Sequence, residues 1–141
     1  MIGSDPLMLR TRHLERPMFR TVTLLKRRPD LSMEEFIAYY ESAHARIGEK
    51  YLAGRAIHYA RRFLHALAPE DTADKPYDVV MEIWFADRAA FDDTIVALGD
   101  PDVAAEIAED EERLFDRSRN RMFFLEEHAS DLDAVLAERG Q

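Results

Sequence analysis

One histidine falls inside a stretch with the pattern of a core-facing helix: FIAYYESAHARIGEKY, Phe36 to Tyr51, which contains His44. A neutral imidazole takes or gives a proton near pH 7, so His44 is a candidate general acid–base group. Tyr40, one turn earlier, is placed to hydrogen-bond a substrate or orient the ring. The alternative for His44 is a boundary residue bonded to a backbone carbonyl. Glu82, in YDVVMEIWF, is the second candidate. A desolvated carboxylate between Val80 and Trp84 would serve as acid, base or partner to the histidine's other nitrogen. The alternative is an ion pair with Arg61, Arg62, Arg119 or Arg121 from a neighbouring strand.

Around these, Trp84, Phe19 and Phe123 have the right types to wall a pocket for an aromatic ring, although such stripes are also ordinary core. Tyr59 and Arg61 alternate with His58 and Arg62 in IHYARRFLHAL. An inward arginine would bind a phenolate or carboxylate. The sequence leaves open which of the two sets lines a pocket. Metal chemistry finds little support. His58 and His65 are seven apart and so face opposite sides of a regular strand. Glu41–His44 is the one helix-neighbour pair of ligand type. No Gly-rich phosphate loop or nucleophile elbow occurs. The expectation is a site without metal or cofactor.

The 141 residues suffice for one domain with one core. The chain has no cysteine, which excludes thiol catalysis and a disulfide scaffold and suggests a reducing compartment. The net charge of −9 repels phosphate backbones, so no nucleic-acid partner is expected. No apolar run approaches the roughly 20 residues that span a bilayer, and the first residues lack a signal layout. No membrane partner and a cytoplasmic location are the expectations.

The elements that must position these groups read in order. Residues 1–17 form an arm with little structure of its own. MFRTVTLLKRR, from Met18, fits a strand. Ser32 and Glu35 make a capping box for a helix running to about Lys50, whose inner stripe is Phe36, Tyr40, Ala43, His44, Ile47 and Tyr51. Strands follow from Ile57 and from Tyr77. The second is apolar on both sides except for Glu82, with Tyr77, Val79, Met81, Ile83 and Phe85 facing the helices. Asp87 caps a second helix that Gly99 stops. Asp100-Pro101 starts a third, acidic helix, read as a solvated face. A final strand begins at Arg119, and Ser130 is the candidate cap of a last helix through Ala137. The order β-α-β-β-α-β is the ferredoxin-like split arrangement, α+β, with helices on one sheet face. The other face holds Val80 and Trp84 and needs cover, so a second copy pressing sheet to sheet is expected.

Three segments resemble the EthD family of the dimeric α/β-barrel superfamily. LSMEEFIAYYESAHARI is similar to its Phe…Tyr…His helix, with Phe36, Tyr40 and His44 in place. YDVVMEIWFADRAAFDD resembles its Glu-x-Trp-Phe strand, with Glu82, Trp84, Phe85 and Asp87 matching. DPDVAAEIAEDEERLFD resembles a third segment, with Asp110, Phe115 and Asp116 matching; among the acids of this helix, Asp110 is therefore the one to watch. Where the family has Asp-Gly, this chain has Asp78-Val79. The resemblance implies a dimeric α/β barrel over residues 18–128; an N-terminal arm of 1–17 and a C-terminal helix or tail of 129–141 extend past the family's pattern. It implies no metal, flavin or nicotinamide, and no single reaction.

The reading that follows is a homodimer with a pocket for a small hydrophobic aromatic or polyketide-like ligand. It acts as a cofactor-independent lyase or isomerase. His44 moves the proton, Tyr40 and Glu82 assist, and Trp84, Tyr59, Arg61, Phe19 and Phe123 bind. The alternatives are a non-enzymatic metabolite-binding or accessory protein, and a dimer whose barrel is filled.

Overall fold

A computed structural model describes residues 18–140. The expected arm of residues 1–17, with His13, lies outside them. Strand β1 spans Phe19–Leu25. Helix α1 is built of three consecutive segments, Met33–Tyr39, Tyr40–His44 and Ala45–Leu52, of which the middle one is π-helical. Then come β2 (His58–Phe63), β3 (Val79–Phe85), α2 (Arg88–Leu98), α3 (Pro101–Leu114), β4 (Arg121–Phe124) and α4 (Leu132–Gly140). The strands form one antiparallel sheet in the order β2-β3-β1-β4. This is the ferredoxin-like topology that the order of elements predicts.

Local chemistry fixes the helix starts. Ser32 Oγ accepts from Glu35 N at 3.0 Å while Glu35 Oε1 accepts from Ser32 N at 2.9 Å, a complete capping box. Asp87 and Asp100 cap α2 and α3 through Ala90 N and Val103 N. The last helix differs from expectation. Asp131, not Ser130, caps it through Ala134 N, and it continues past Ala137 to Gly140.

The residue after Asp78 also departs from the family's glycine. Among the described residues no non-glycine has positive φ, so Val79 adopts ordinary extended backbone and is fully buried. Asp78 is itself buried and accepts from Arg27 N at 2.9 Å, with Lys26 Nζ at 3.2 Å. It ties the end of β1 to the β2–β3 loop.

Cross-strand register divides the sheet into two faces. Leu25, Val79, Met81 and Phe63 point to one. There Phe36 and Tyr40 of α1 meet Leu114 and Phe115 in a core of edge-to-face rings. Arg20, Val22, Val80, Glu82, Trp84, His58 and Phe123 point to the other, which α1 to α3 leave uncovered. Among the described residues no helix is long and apolar enough to cross a membrane.

One glycine shapes the helix–sheet contact. A Cβ on Gly48 of α1 would lie 2.6 Å from the Tyr59 hydroxyl oxygen and 2.9 Å from its ring carbon. Tyr59 therefore rests directly on the helix backbone. Alanine in place of mid-helix glycine ordinarily stabilises. Here Gly48→Ala is expected to cost about 1–3 kcal/mol by overpacking. In a Tyr59→Leu background the same change should instead gain about 0.5–1 kcal/mol. Denaturant melts of the four proteins give both values; a gain in the wild-type background contradicts the packing.

Candidate active site

The π-helical segment Tyr40–His44 interrupts α1 and begins and ends on the two candidate residues, Tyr40 and His44. A π turn holds one more residue than an α turn, so it changes which side chains face inward, and such turns are frequent at functional sites. The sequence pattern gives no sign of it. Tyr40 goes fully into the core, with His44 packed edge-on against it and against Phe115, ring centroids 5.2 and 5.4 Å away.

The histidine is anchored. His44 Nδ1 lies 2.8 Å from Oδ2 of Asp110 on α3. The other carboxylate oxygen accepts from the Tyr39 hydroxyl at 2.5 Å and from Arg113 Nη1 at 3.3 Å. Asp110 is 3% exposed. A carboxylate that far from water must be hydrogen-bonded, and three donors meet the need. An ionised carboxylate only accepts, so the proton of a neutral His44 sits on Nδ1 and the lone pair is on Nε2. That is the tautomer of a general base. The His44 side chain is 12% exposed, held on three sides by protein.

The surrounding acids and phenols are perturbed. The bond to Asp110 raises the Tyr39 pKa, because the carboxylate resists a phenolate beside it. Burial pushes Tyr40 well above the usual tyrosine range. Its hydroxyl has no hydrogen-bond partner, although Tyr59 is near enough for the two phenols to influence each other's ionisation. Burial also raises Glu111, against the opposing charges of His44 and Arg117.

The expected site residues fall into three places. His44, Tyr40, Tyr59 and Arg61 are on the helix side of the sheet. This answers the open question about β2: Tyr59 and Arg61 face the helices. Arg61 is engaged by Glu41, through Nε at 3.0 Å and Nη2 at 2.5 Å. Glu82, Trp84 and Phe123 lie on the uncovered face, so within one chain the sheet separates Glu82 from His44. Glu82 pairs with Arg62 at 2.8 Å, the alternative that the sequence left open. Trp84 sits between His58, ring centroids 4.2 Å apart, and the Arg20 guanidinium. Phe19 is on the helix side at the far end of β1, against Phe91 and Phe124.

Asp110 and Tyr39 were not among the expected catalytic residues. The composition of α3 reads as a solvated acidic face, from which the family resemblance singles out Asp110 as the member to watch, without a role. Yet Val103, Ile107, Asp110 and Leu114 follow the i, i+4, i+7, i+11 spacing of an inner stripe, and that spacing identifies Asp110 as inward. Tyr39 carries no comparable signal.

Besides a smaller cavity of about 160 Å³ at Gly54, Arg55, Ala90, Asp93 and Thr94, two larger ones stand out among the described residues. One, of about 240 Å³, lies under the C-terminal end of α1 and is lined by Leu52, Ala56, Ile57, His58 and Tyr59. The other is an apolar groove of about 280 Å³ between α2 and β4, lined by Phe19, Phe91, Met122 and Phe124. His44 lines neither. Among the described residues no group of three or more His, Cys, Asp or Glu is arranged to hold a metal ion.

Comparison with known proteins locates this arrangement. An EthD family protein from Bacillus halodurans superposes with a TM-score of 0.56 at 13% identity, over 79% of this chain and 100% of that one. An uncharacterized NIPSNAP-like domain protein from Burkholderia xenovorans gives 0.54 at 18%, over 83% and 90%. A dimeric ferredoxin-like protein of unknown function from Thermobifida fusca gives 0.52 at 13%, over 77% and 89%. At these identities the likeness is one of fold. No curated protein matches the chain. The EthD domain profile matches residues 28–118, a span that includes both helices meeting at His44 and Asp110, and the chain belongs to the EthD domain family.

Proposed function

We propose that the protein is a cofactor-independent acid–base enzyme, a lyase or isomerase acting on a small aromatic or polyketide-like compound, with His44 as the group that moves the proton. The observation that supports this most is the 2.8 Å contact of His44 Nδ1 with a buried carboxylate that Tyr39 also holds. Such an orienting acid fixes the ring and stabilises the imidazolium formed during turnover. In a dehydration, Nε2 removes a proton from carbon beside a carbonyl. The C–H electrons form the new double bond, and the imidazolium returns the proton to the departing hydroxide as water. No oxidant, metal or second substrate is consumed. Tyr40 packs the ring from one side, and Asp110 and Tyr39 act as positioning residues.

The working unit in this reading is a homodimer. The Thermobifida fusca protein of the same fold is described as dimeric. Here the uncovered face holds Val80, Trp84 and Phe123, which a second sheet would bury. Glu82, Trp84 and Phe123 would then line the space between the sheets rather than the His44 site. A second reading, a non-catalytic carrier of a hydrophobic metabolite, draws on the two cavities that His44 does not line. Such a carrier would hold its ligand in one of them without using the histidine.

The two readings part on substitution. His44→Gln and Asp110→Asn should each lower turnover of a phenolic or polyketide-like substrate by about 10²–10⁴-fold while calorimetry shows ligand binding retained. Unchanged turnover in His44→Gln sinks the catalytic reading, and ligand binding undiminished in both variants with no detectable turnover in wild type favours the carrier.

The dimer is checked by sedimentation. Wild-type protein should run as a dimer at micromolar concentration, and Val80→Glu, which places a charge on the apposed faces, should run as a monomer with its circular dichroism unchanged. A monomeric wild type would refute the assembly.

Glu111 supplies a pH test of the site's interior. Its raised pKa means that burial opposes the charged form, so its contribution favours folding below the ordinary value of 4.5 and is lost as pH rises through the folded value. Glu111→Gln should therefore melt higher than wild type at pH 7. The gap should close as pH falls to about 4. A gap constant with pH would show the carboxyl to be solvated.

A further inference from the structure

The C-terminal segment carries an apolar stripe that its own domain leaves exposed. Leu132, Val135 and Leu136 share one side of α4 at i, i+3, i+4 spacing and are 74%, 39% and 64% exposed. The helix has nine residues. Helices shorter than about 12–15 residues are marginal in water without packing. A matching surface exists on the same fold: the groove of Phe19, Phe91, Met122 and Phe124 beside strand β4. Phe124 there is 69% exposed and Met122 49%.

The segment that follows β4 is tied to the sheet face opposite the groove. After β4, Leu125 N bonds Arg20 O, and Glu127 pairs with Arg20 Nη1 at 3.1 Å. Arg20 is opposite Trp84 in register, so its side chain lies on the uncovered face. The groove opens on the helix face, where Phe19, Met122 and Phe124 point. The tail thus departs on the side where the homodimer reading puts the second copy. Residues 125–131 reach at most about 24 Å at roughly 3.3–3.6 Å per residue, enough to cross the ~10 Å between packed sheets and pass an edge.

Charge supports the same occupant. The segment carries Glu126, Glu127, Asp131, Asp133 and Glu138 against Arg139. On a chain of net charge −9, the groove is bordered by a cation, Arg88, which lies over Phe19 and Phe91 and also pairs with Asp92.

We propose that α4 of one copy seats its Leu132–Val135–Leu136 stripe in the β4 groove of a second copy, so that the two chains exchange C-terminal helices. This rests on the homodimer reading and adds to it a second, separate contact. The exchange would fill the groove and remove it from the set of ligand sites.

The absence of native cysteine makes the test direct. Leu136→Cys and Met122→Cys chains are purified separately, mixed at micromolar concentration and treated with a short bis-maleimide. The expected result is a covalent dimer in the mixture at least tenfold above either variant alone. A double variant that cross-links only within itself, at monomer mass, overturns the exchange. No cross-link while wild-type protein sediments as a dimer overturns it too and leaves the sheet-to-sheet dimer standing. A monomeric wild type overturns both.

Discussion

A carboxylate sequestered from water organises one side of this molecule. Asp110 cannot be left alone at 3% exposure, since an unpaired buried charge costs several kcal/mol. Its three partners come from two helices: Tyr39 and His44 from α1, Arg113 from α3 itself. The requirement therefore sets how α1 and α3 approach each other. It also orients the imidazole, because the same oxygen pair that needs donors selects Nδ1 as one of them. Fold and candidate chemistry share a single constraint here: what pins the helices also leaves Nε2 with its lone pair.

The sheet imposes a second division. Alternation along β3 sends Met81 and Phe85 to the helices and Glu82 and Trp84 to the far side, two populations that never mix within a chain. Residues that look like one constellation in a linear reading therefore belong to two sites. His44 answers to the helix layer. Glu82 answers to Arg62 and to whatever covers the far face. Any catalytic partnership between them has to be mediated through the sheet or abandoned.

Much of the architecture is legible in the sequence because it is written in local rules. Ser32–Glu35, Asp87 and Asp100-Pro101 state their helix starts through hydrogen bonds a few residues long, and the doubly apolar run around Val79–Phe85 states its central place. The N-cap of the last helix is less legible: Ser130 and Asp131 are both good capping residues, and it is the Asp131 carboxylate that accepts from Ala134 N. Composition hides the bearing of Asp110, because six of the fourteen residues of α3 are acidic; the inner stripe is visible only when Val103, Ile107 and Leu114 are aligned with it. The π turn had no signal at all. It arises from tertiary demand, as Tyr40 and His44 seek the core and the carboxylate together, and neither periodicity nor propensity encodes that.

The π turn also alters how α1 would respond to a change in chain length. A one-residue deletion within Tyr40–His44 would let the helix relax to a regular α path, whereas in an uninterrupted helix the same lesion rotates everything downstream by about 100°. The surplus residue is thus a stored increment of phase. Removing it would leave Ala45, Gly48 and Leu52 close to their present bearings on the sheet and swing only the histidine's neighbourhood out of line, so that the scaffold outlives the loss of its imidazole.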